Sequence, residues 1–323
     1  MKRIIYVILA LFLVAQPQAT LADEPKIALI YDLGGKFDKS FNEAAHNGGA
    51  AFEAATGVTY HDFEPASEAQ MEQAIKRFAR RGYDLIIAIG ISYATPLRKV
   101  AEEYPDMHFT VIDSHVDMPN VQSVSFKEHE GSYLVGMIAA MASEKQKIGF
   151  IGGMDIPLIR KFASGYVQGA RAINPDIEII QNMVGASPTA WNDPIRGGEL
   201  ARNQYARGAD VIYSAAGPTG LGVIQAAKET DNLAIGVDSN QNHIAPGYVL
   251  TSMLKRVDRA VERAMLGALN GNWHSGVEVL GLAEDGVDYA LDEHNQNLIT
   301  AEMRARLDEA RAKIISGELV VNP

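Results

Sequence analysis

The chain contains no cysteine at all. That removes disulfides, thiolate metal ligands, cysteine nucleophiles and the thiol through which an exported protein can be lipid-anchored. Packing and hydrogen bonding must hold the fold. Basic residues are outnumbered: 29 Lys and Arg face 40 Asp and Glu, for a formal charge of −11. Such a field repels phosphate backbones and anionic lipid, so nucleic acid is excluded as a partner. The apolar run at residues 4–15 has only 12 residues, well short of the ~20 that a membrane-crossing helix needs. The eight histidines are scattered without HExxH spacing. There is no Gly-x-Ser-x-Gly elbow. Gly217-Pro-Thr-Gly-Leu-Gly222 lacks both the GxGxxG order and the Lys-Ser/Thr ending of a phosphate loop. No metal site and no cofactor are therefore expected, and a binding protein fits better than an enzyme.

What is present begins with an export signal. Lys2 and Arg3 precede the apolar run, and Thr20 and Ala22 put small residues at the positions a signal peptidase reads. Cleavage after about Ala22 and a periplasmic location for the remainder are expected. That remainder exceeds the size, about 250–300 residues, at which a single core stops growing, so two lobes are expected.

Apolar runs rich in β-branched residues recur at 27–30, 85–89, 109–112, 148–151, 211–213 and 234–237. Segments of helical period lie between them, which is the alternation of parallel βαβ units and predicts an α/β protein. Met71, Ile75 and Phe78 fall at helix spacing behind a candidate capping box of Ser67 and Gln70, and Gly82 marks the stop. Tyr133, Leu134, Met137, Ile138 and Met141 mark another helix, and Met303, Leu307, Ala310 and Ile314 a C-terminal one. Crossings between the lobes are expected near 125–128, 252–255 and 272–276. Residues 23–126 with 254–275 then form one lobe, and 127–253 with 276–323 the other.

The strand ends carry the chemistry. Three apolar runs end in Asp32, Asp113 and Asp238, and three others in Gly90, Gly152-Gly153 and Gly217. In open parallel sheets ligands bind beyond the carboxyl ends of the strands, so acceptors and bare backbone are aimed at one place. An ionised aspartate offers acceptors and no donor. The ligand should therefore present several N–H or O–H groups and no phosphate: a sugar, a nucleoside or a nucleobase. Two aromatics sit in loops near these ends. Phe37 is flanked by polar residues in the segment after Asp32, and Trp191 lies in Ala190-Trp-Asn-Asp-Pro194. One from each lobe would sandwich a flat ligand. Lys255 follows the strand candidate at 248–253 and has the reach to donate to a hydroxyl near a hinge.

Taken together, Asp32-Leu-Gly-Gly-Lys-Phe-Asp-Lys-Ser-Phe-Asn42, Glu128-His-Glu-Gly-Ser-Tyr-Leu-Val-Gly-Met-Ile-Ala-Ala140, Gly217-Pro-Thr-Gly-Leu-Gly222, Gly236-Val-Asp238 and Leu254-Lys-Arg-Val-Asp258 resemble the basic membrane protein family. Its members are substrate-binding components of ABC transporters, and the characterised ones bind purine nucleosides. The resemblance implies a type I periplasmic-binding-protein fold, two doubly wound parallel-sheet lobes joined by three crossings and closing on a ligand by a hinge. It also implies a permease partner in the inner membrane. The protein is expected to act as a monomer. By matching position, Phe37 would stack on the base and Trp191 would cover its other face, where many relatives have phenylalanine. Asp113 would accept from base N–H groups, with a further bond from Asn42. Asp238 would bind ribose hydroxyls, helped by Lys255 and the backbone at Gly217, and Asp32 would line the cleft. A free purine base is the alternative ligand. Outside the family, a sugar-binding protein of the same architecture and a nucleoside hydrolase using an aspartate-held calcium are the competing readings.

Overall fold

The computed structural model describes residues 24–323; the expected export signal at 1–22 lies outside the described residues. The first lobe opens with β1 (Ile27–Ile30), α1 (Phe41–Thr56), β2 (Tyr60–Phe63), α2 (Glu68–Arg80) and β3 (Leu85–Ile89). It continues through α3 (Ala94–Glu103), β4 (His108–Ile112) and β5 (Val121–Phe126). The second lobe follows with α4 (Glu128–Ala142), β6 (Lys147–Met154), α5 (Pro157–Ile173), β7 (Glu178–Gly185) and α6 (Pro194–Ala206). Then come β8 (Val211–Ala215), α7 (Gly220–Glu229), β9 (Leu233–Asp238) and β10 (Val249–Lys255). The chain returns through α8 (Val257–Leu269) and β11 (Gly276–Leu280), and finishes with β12 (Val287–Tyr289) and α9 (Ala301–Ser316).

The two sheets have matching orders, β2-β1-β3-β4-β5-β11 and β7-β6-β8-β9-β10-β12. Every pairing is parallel except that of β12 with β10. Parallel strands covered on both faces need apolar residues throughout, and β3 is buried at every position. The α2 and α3 helices cover one face of the first sheet, around Ile75, Phe78 and Leu97. The α6 and α7 helices cover one face of the second, around Ala201, Val223 and Ile224. A third apolar cluster joins α1 and α8 of the first lobe to α4, α5 and α9 of the second through Phe52, Val261, Leu134, Phe162 and Leu307. Burying each such side chain contributes about 1.5–3 kcal/mol.

Two expectations change. β11 pairs in register with β5, Gly276 opposite Gln122 and Leu280 opposite Phe126. The third crossing therefore comes after Leu280, within 281–286, and not at 272–276; β11 extends the first sheet. The Ser67 hydroxyl makes no cap bond. Gln70 reaches past it to accept from the Ala66 N–H at 2.9 Å, so the capping box does not close. The stop at Gly82 holds, with φ +66.

The matched sheet orders have a local consequence. β4 and β9 occupy the same place in their sheets, and the residue at each end, Asp113 (φ +63) and Asp238 (φ +65), is in the left-handed region. A non-glycine residue held there is strained, and aspartate tolerates it better than most. Both lobes use that turn to face an aspartate toward the other.

Candidate ligand-binding site

A cleft of about 630 Å³, counting the space open to solvent, lies between the strand ends of the two lobes. Asp32, Asn42, Asp113, Trp191, Gly217, Asp238 and Lys255, seven of the eight residues expected from the sequence, line it.

The loop from β1 to α1 is built around two side chains. Asp38 accepts from the N–H groups of Ser40, Asn42 and Glu43 at 2.8 to 3.0 Å, satisfying orphan donors at the start of α1. Asn42 accepts from the Asp32 N–H at 3.0 Å and donates to the carbonyls of Asp32 and Gly35. Both amide protons of Asn42 are thus spent on the loop. It lines the cavity and braces the loop, and only its carbonyl oxygen, which accepts a single bond there, has capacity left for a base. Asp32 lies over Gly90, where an added Cβ would fall 2.2 Å from its carboxylate. Part of Asp32 faces the cavity, yet burial raises its carboxyl pKa to about 7, opposed by the Leu33 N–H and reinforced by Asp113.

Lys255, the last residue of β10, is the one cation in the lining. Its ammonium lies 2.5 Å from Asp113 Oδ2 and 3.2 Å from Glu128 Oε1. The rings of Phe41, Phe126 and Phe162 surround it, with centroids 5.1 to 5.6 Å away, a cation–π cage. Lys161 of α5 stands 3.5 Å from the other oxygen of Glu128. Burial works against the charge on Lys255, but the Asp113, Glu128 and Asp238 carboxylates outweigh it and raise its pKa above the ordinary lysine value. Burial raises Asp113 against the pull of Lys255. Asp113 Oδ1 is buried without a hydrogen-bond partner, an acceptor left open for a ligand donor.

The second lobe contributes a flat wall. Trp191 ends a short 3₁₀ turn at Pro188–Trp191, and its ring lies so close to Gly153 that an added Cβ would come within 2.2 Å of it. Gly217 (φ +57) and Pro218 follow β8 on the same side. Leu158, Ile159 and Phe162 supply apolar lining. Asp238 accepts from Ser40 of the opposite lobe at 2.6 Å. Burial lifts its pKa to about 6, while Lys255 and the Ser40 hydroxyl hold it down.

The lobes are in contact across the cavity. Besides the Asp113–Lys255 and Ser40–Asp238 pairs, Ser239 donates to the Ser40 carbonyl at 2.6 Å and Gln241 to the Lys39 carbonyl at 2.9 Å. The lining offers four carboxylates, from Asp32, Asp38, Asp113 and Asp238, to one ammonium. An uncharged ligand rich in donors suits it; a phosphate does not.

Phe37 is the expected residue that does not arrive. It is 65% exposed and packs edge-on against His46 at 5.2 Å. Gly34 and Gly35, both at positive φ, turn the chain, and the Lys36–Asp62 ion pair carries Lys36 and Phe37 out to the flank. Phe41 faces the cavity instead, from the first residue of α1. The sequence reading also missed Phe162 and Glu128. Phe162 falls at helix spacing with Ile159 and Tyr166, indistinguishable from core, and Glu128 looks like an ordinary acidic residue in a first turn. A polar segment holding two phenylalanines, Phe37 and Phe41, was the available signal.

Over residues 25–323 the chain matches the family described as ABC transporter substrate-binding protein PnrA-like. It is 34% identical over 318 residues to the CD4+ T-cell-stimulating antigen of Listeria monocytogenes, covering 91% of this chain and 87% of that one. Identity to the ABC transporter nucleoside-binding protein BmpA of Lactococcus lactis subsp. cremoris is 32% over 321 residues, covering 92% and 88%. The crystal structure of an ABC transporter system solute-binding protein from Aeropyrum pernix superposes with a TM-score of 0.84 at 30% identity, covering 92% of this chain and 94% of that one.

Proposed function

The chain belongs to the Bmp family of PnrA-like ABC transporter substrate-binding proteins, and from that premise we propose that it captures a purine nucleoside, or a free purine base, in the periplasm and delivers it to an inner-membrane permease. Its two doubly wound lobes are the type I periplasmic-binding-protein fold, and membership of the family puts its work outside the cytoplasmic membrane. With no cysteine to carry a lipid, it diffuses freely as a monomer after loss of its leader.

The observation that carries the ligand is the composition of the cavity wall: Trp191 and Phe41 rings beside the acceptors of Asp32, Asp113 and Asp238, with no cation but Lys255, itself neutralised by two carboxylates. A purine presents a flat face to the rings, worth about 1–3 kcal/mol per base. Its N–H groups meet the open oxygen of Asp113, and ribose hydroxyls meet Asp238. The ligand enters between parted lobes, and closing brings the second set of contacts and expels water, which strengthens every charge-assisted bond. No bond in the ligand is made or broken. A calcium-dependent hydrolase fits poorly, because Asp38 is already occupied by three backbone N–H groups.

Calorimetric titration with inosine, guanosine, adenosine, adenine and ribose tests the reading. Micromolar binding, about −8 kcal/mol, of at least one purine compound is expected, and ribose should not bind. Tight binding of ribose alone, with no response to any purine, replaces this reading with a sugar-binding one.

A further inference from the structure

We propose that Ser40 is a specificity-determining residue of this site, reaching from the first lobe to hold the Asp238 carboxylate of the second in position for a ligand that carries hydroxyl groups. The inference rests on the nucleoside reading above and sharpens it, because it makes the sugar, and not only the base, a condition of tight capture.

Ser40 does not line the cavity. It is fully buried, and its hydroxyl has a single proton to give. Two acceptors compete for that proton, the Val237 carbonyl at 3.3 Å and Asp238 Oδ2 at 2.6 Å. The shorter bond is also the charge-assisted one and wins. Among the described residues no other side chain or backbone group bonds to the Asp238 carboxylate. Oδ2 is therefore committed to the opposite lobe, and Oδ1 remains for the ligand.

The hydroxyl has little freedom to be elsewhere. Lys39 is at φ +62, turning the chain just before Ser40. Asp38 holds the N–H groups of Ser40, Asn42 and Glu43 that follow that turn. Gln241 is fully buried and fixed by accepting from the Val237 N–H, and it clamps the Lys39 carbonyl; Ser239 clamps that of Ser40. On the other side Asp238 is at φ +65 at the end of β9. The pair is thus preorganised from both lobes, and it exists only when they meet.

A buried carboxylate with one oxygen tied and one open discriminates by what it is denied. A ligand hydroxyl satisfies Oδ1; a ligand without one leaves a buried acceptor idle in the closed form, and sites built around a hydroxyl reject analogues lacking it. Without Ser40 the carboxylate is free to turn, and that discrimination weakens.

A cycle of two proteins and two ligands tests this: wild type and Ser40→Ala, each titrated calorimetrically with inosine and with 2′,3′-dideoxyinosine. Wild type should bind inosine about tenfold tighter than the dideoxy compound. Ser40→Ala should lose most of its inosine affinity advantage while binding the dideoxy compound within about threefold of wild type. Equal losses on both ligands overturn the proposal, since Ser40 would then act on lobe closure alone. Should Ser40→Ala not fold, the wild-type arm still decides: equal affinity for the two ligands overturns the proposal. A wild-type protein that binds no purine compound overturns the reading of the previous subsection together with this one, whereas equal losses overturn only this one.

Discussion

Replacing Lys255 with methionine asks whether one ammonium holds the base of the cleft together. Methionine is flexible and fits among Phe41, Phe126 and Phe162, so what is removed is mainly the charge. The side chains of Asp113 and Glu128 are 6% and 0% exposed, and without Lys255 they face each other. Lys161, at 3.5 Å from Glu128, is then the nearest cation. Removing one partner of a buried pair costs about 3–5 kcal/mol, against a total stability of about 5–15 kcal/mol for a typical domain. The loss must depend on pH. Burial already raises the pKa of Asp113 while Lys255 opposes it; without Lys255 it rises further. A carboxyl whose folded pKa is raised holds more protons folded than unfolded, so stability falls as pH climbs from the unfolded value of about 4. Lys255→Met should therefore nearly match wild type at about pH 5 and fall behind by the full amount at about pH 8. Urea unfolding followed by circular dichroism across that range reads the difference. A deficit of constant size at every pH refutes the charge argument and assigns the loss to packing.

Two further outcomes are expected. Trp191→Ala should weaken purine binding about tenfold to a hundredfold, the value of one stacked base, while Phe37→Ala, on the exposed flank, should leave it unchanged; calorimetry on both variants distinguishes the cavity wall from the loop surface, and a loss with Phe37→Ala contradicts the geometry. Purine affinity should also fall on acidification. Burial raises Asp32 to about 7 and Asp238 to about 6, and the ionised forms accept from ligand donors more strongly than the protonated ones, so binding is strongest at about pH 8 and weakens as pH drops through 7 and then 6; affinity independent of pH from 8 to 5.5 contradicts the assignment of these two carboxylates.

The interior strands were legible because burial on both faces requires unbroken apolar runs, as in β1 and β3. The strands without such a run are mostly at edges. β2 reads Tyr-His-Asp-Phe and β11 has three exposed positions in five, because an edge strand needs apolar cover on fewer sides. β5 is interior, but Gln122 and Ser123 break its run: Gln122 accepts from Thr110, and Ser123 accepts from the Val116 N–H. The missed β11 carried the third crossing with it.

Residue type and period are local properties, and they were enough to specify two α/β lobes and the aspartates and glycines at their strand ends. Which way a side chain leaves a turn is not local: Phe37 swings out with Lys36 toward Asp62 while Phe41, four residues on, faces the cavity. Neither is the meeting of Asp113 with Lys255 across 142 residues, nor that of Ser40 with Asp238 across 198. Those contacts form only when both sheets are assembled and the lobes close, because the attraction between buried charges depends on distance and on exclusion of water, and the closed fold sets both.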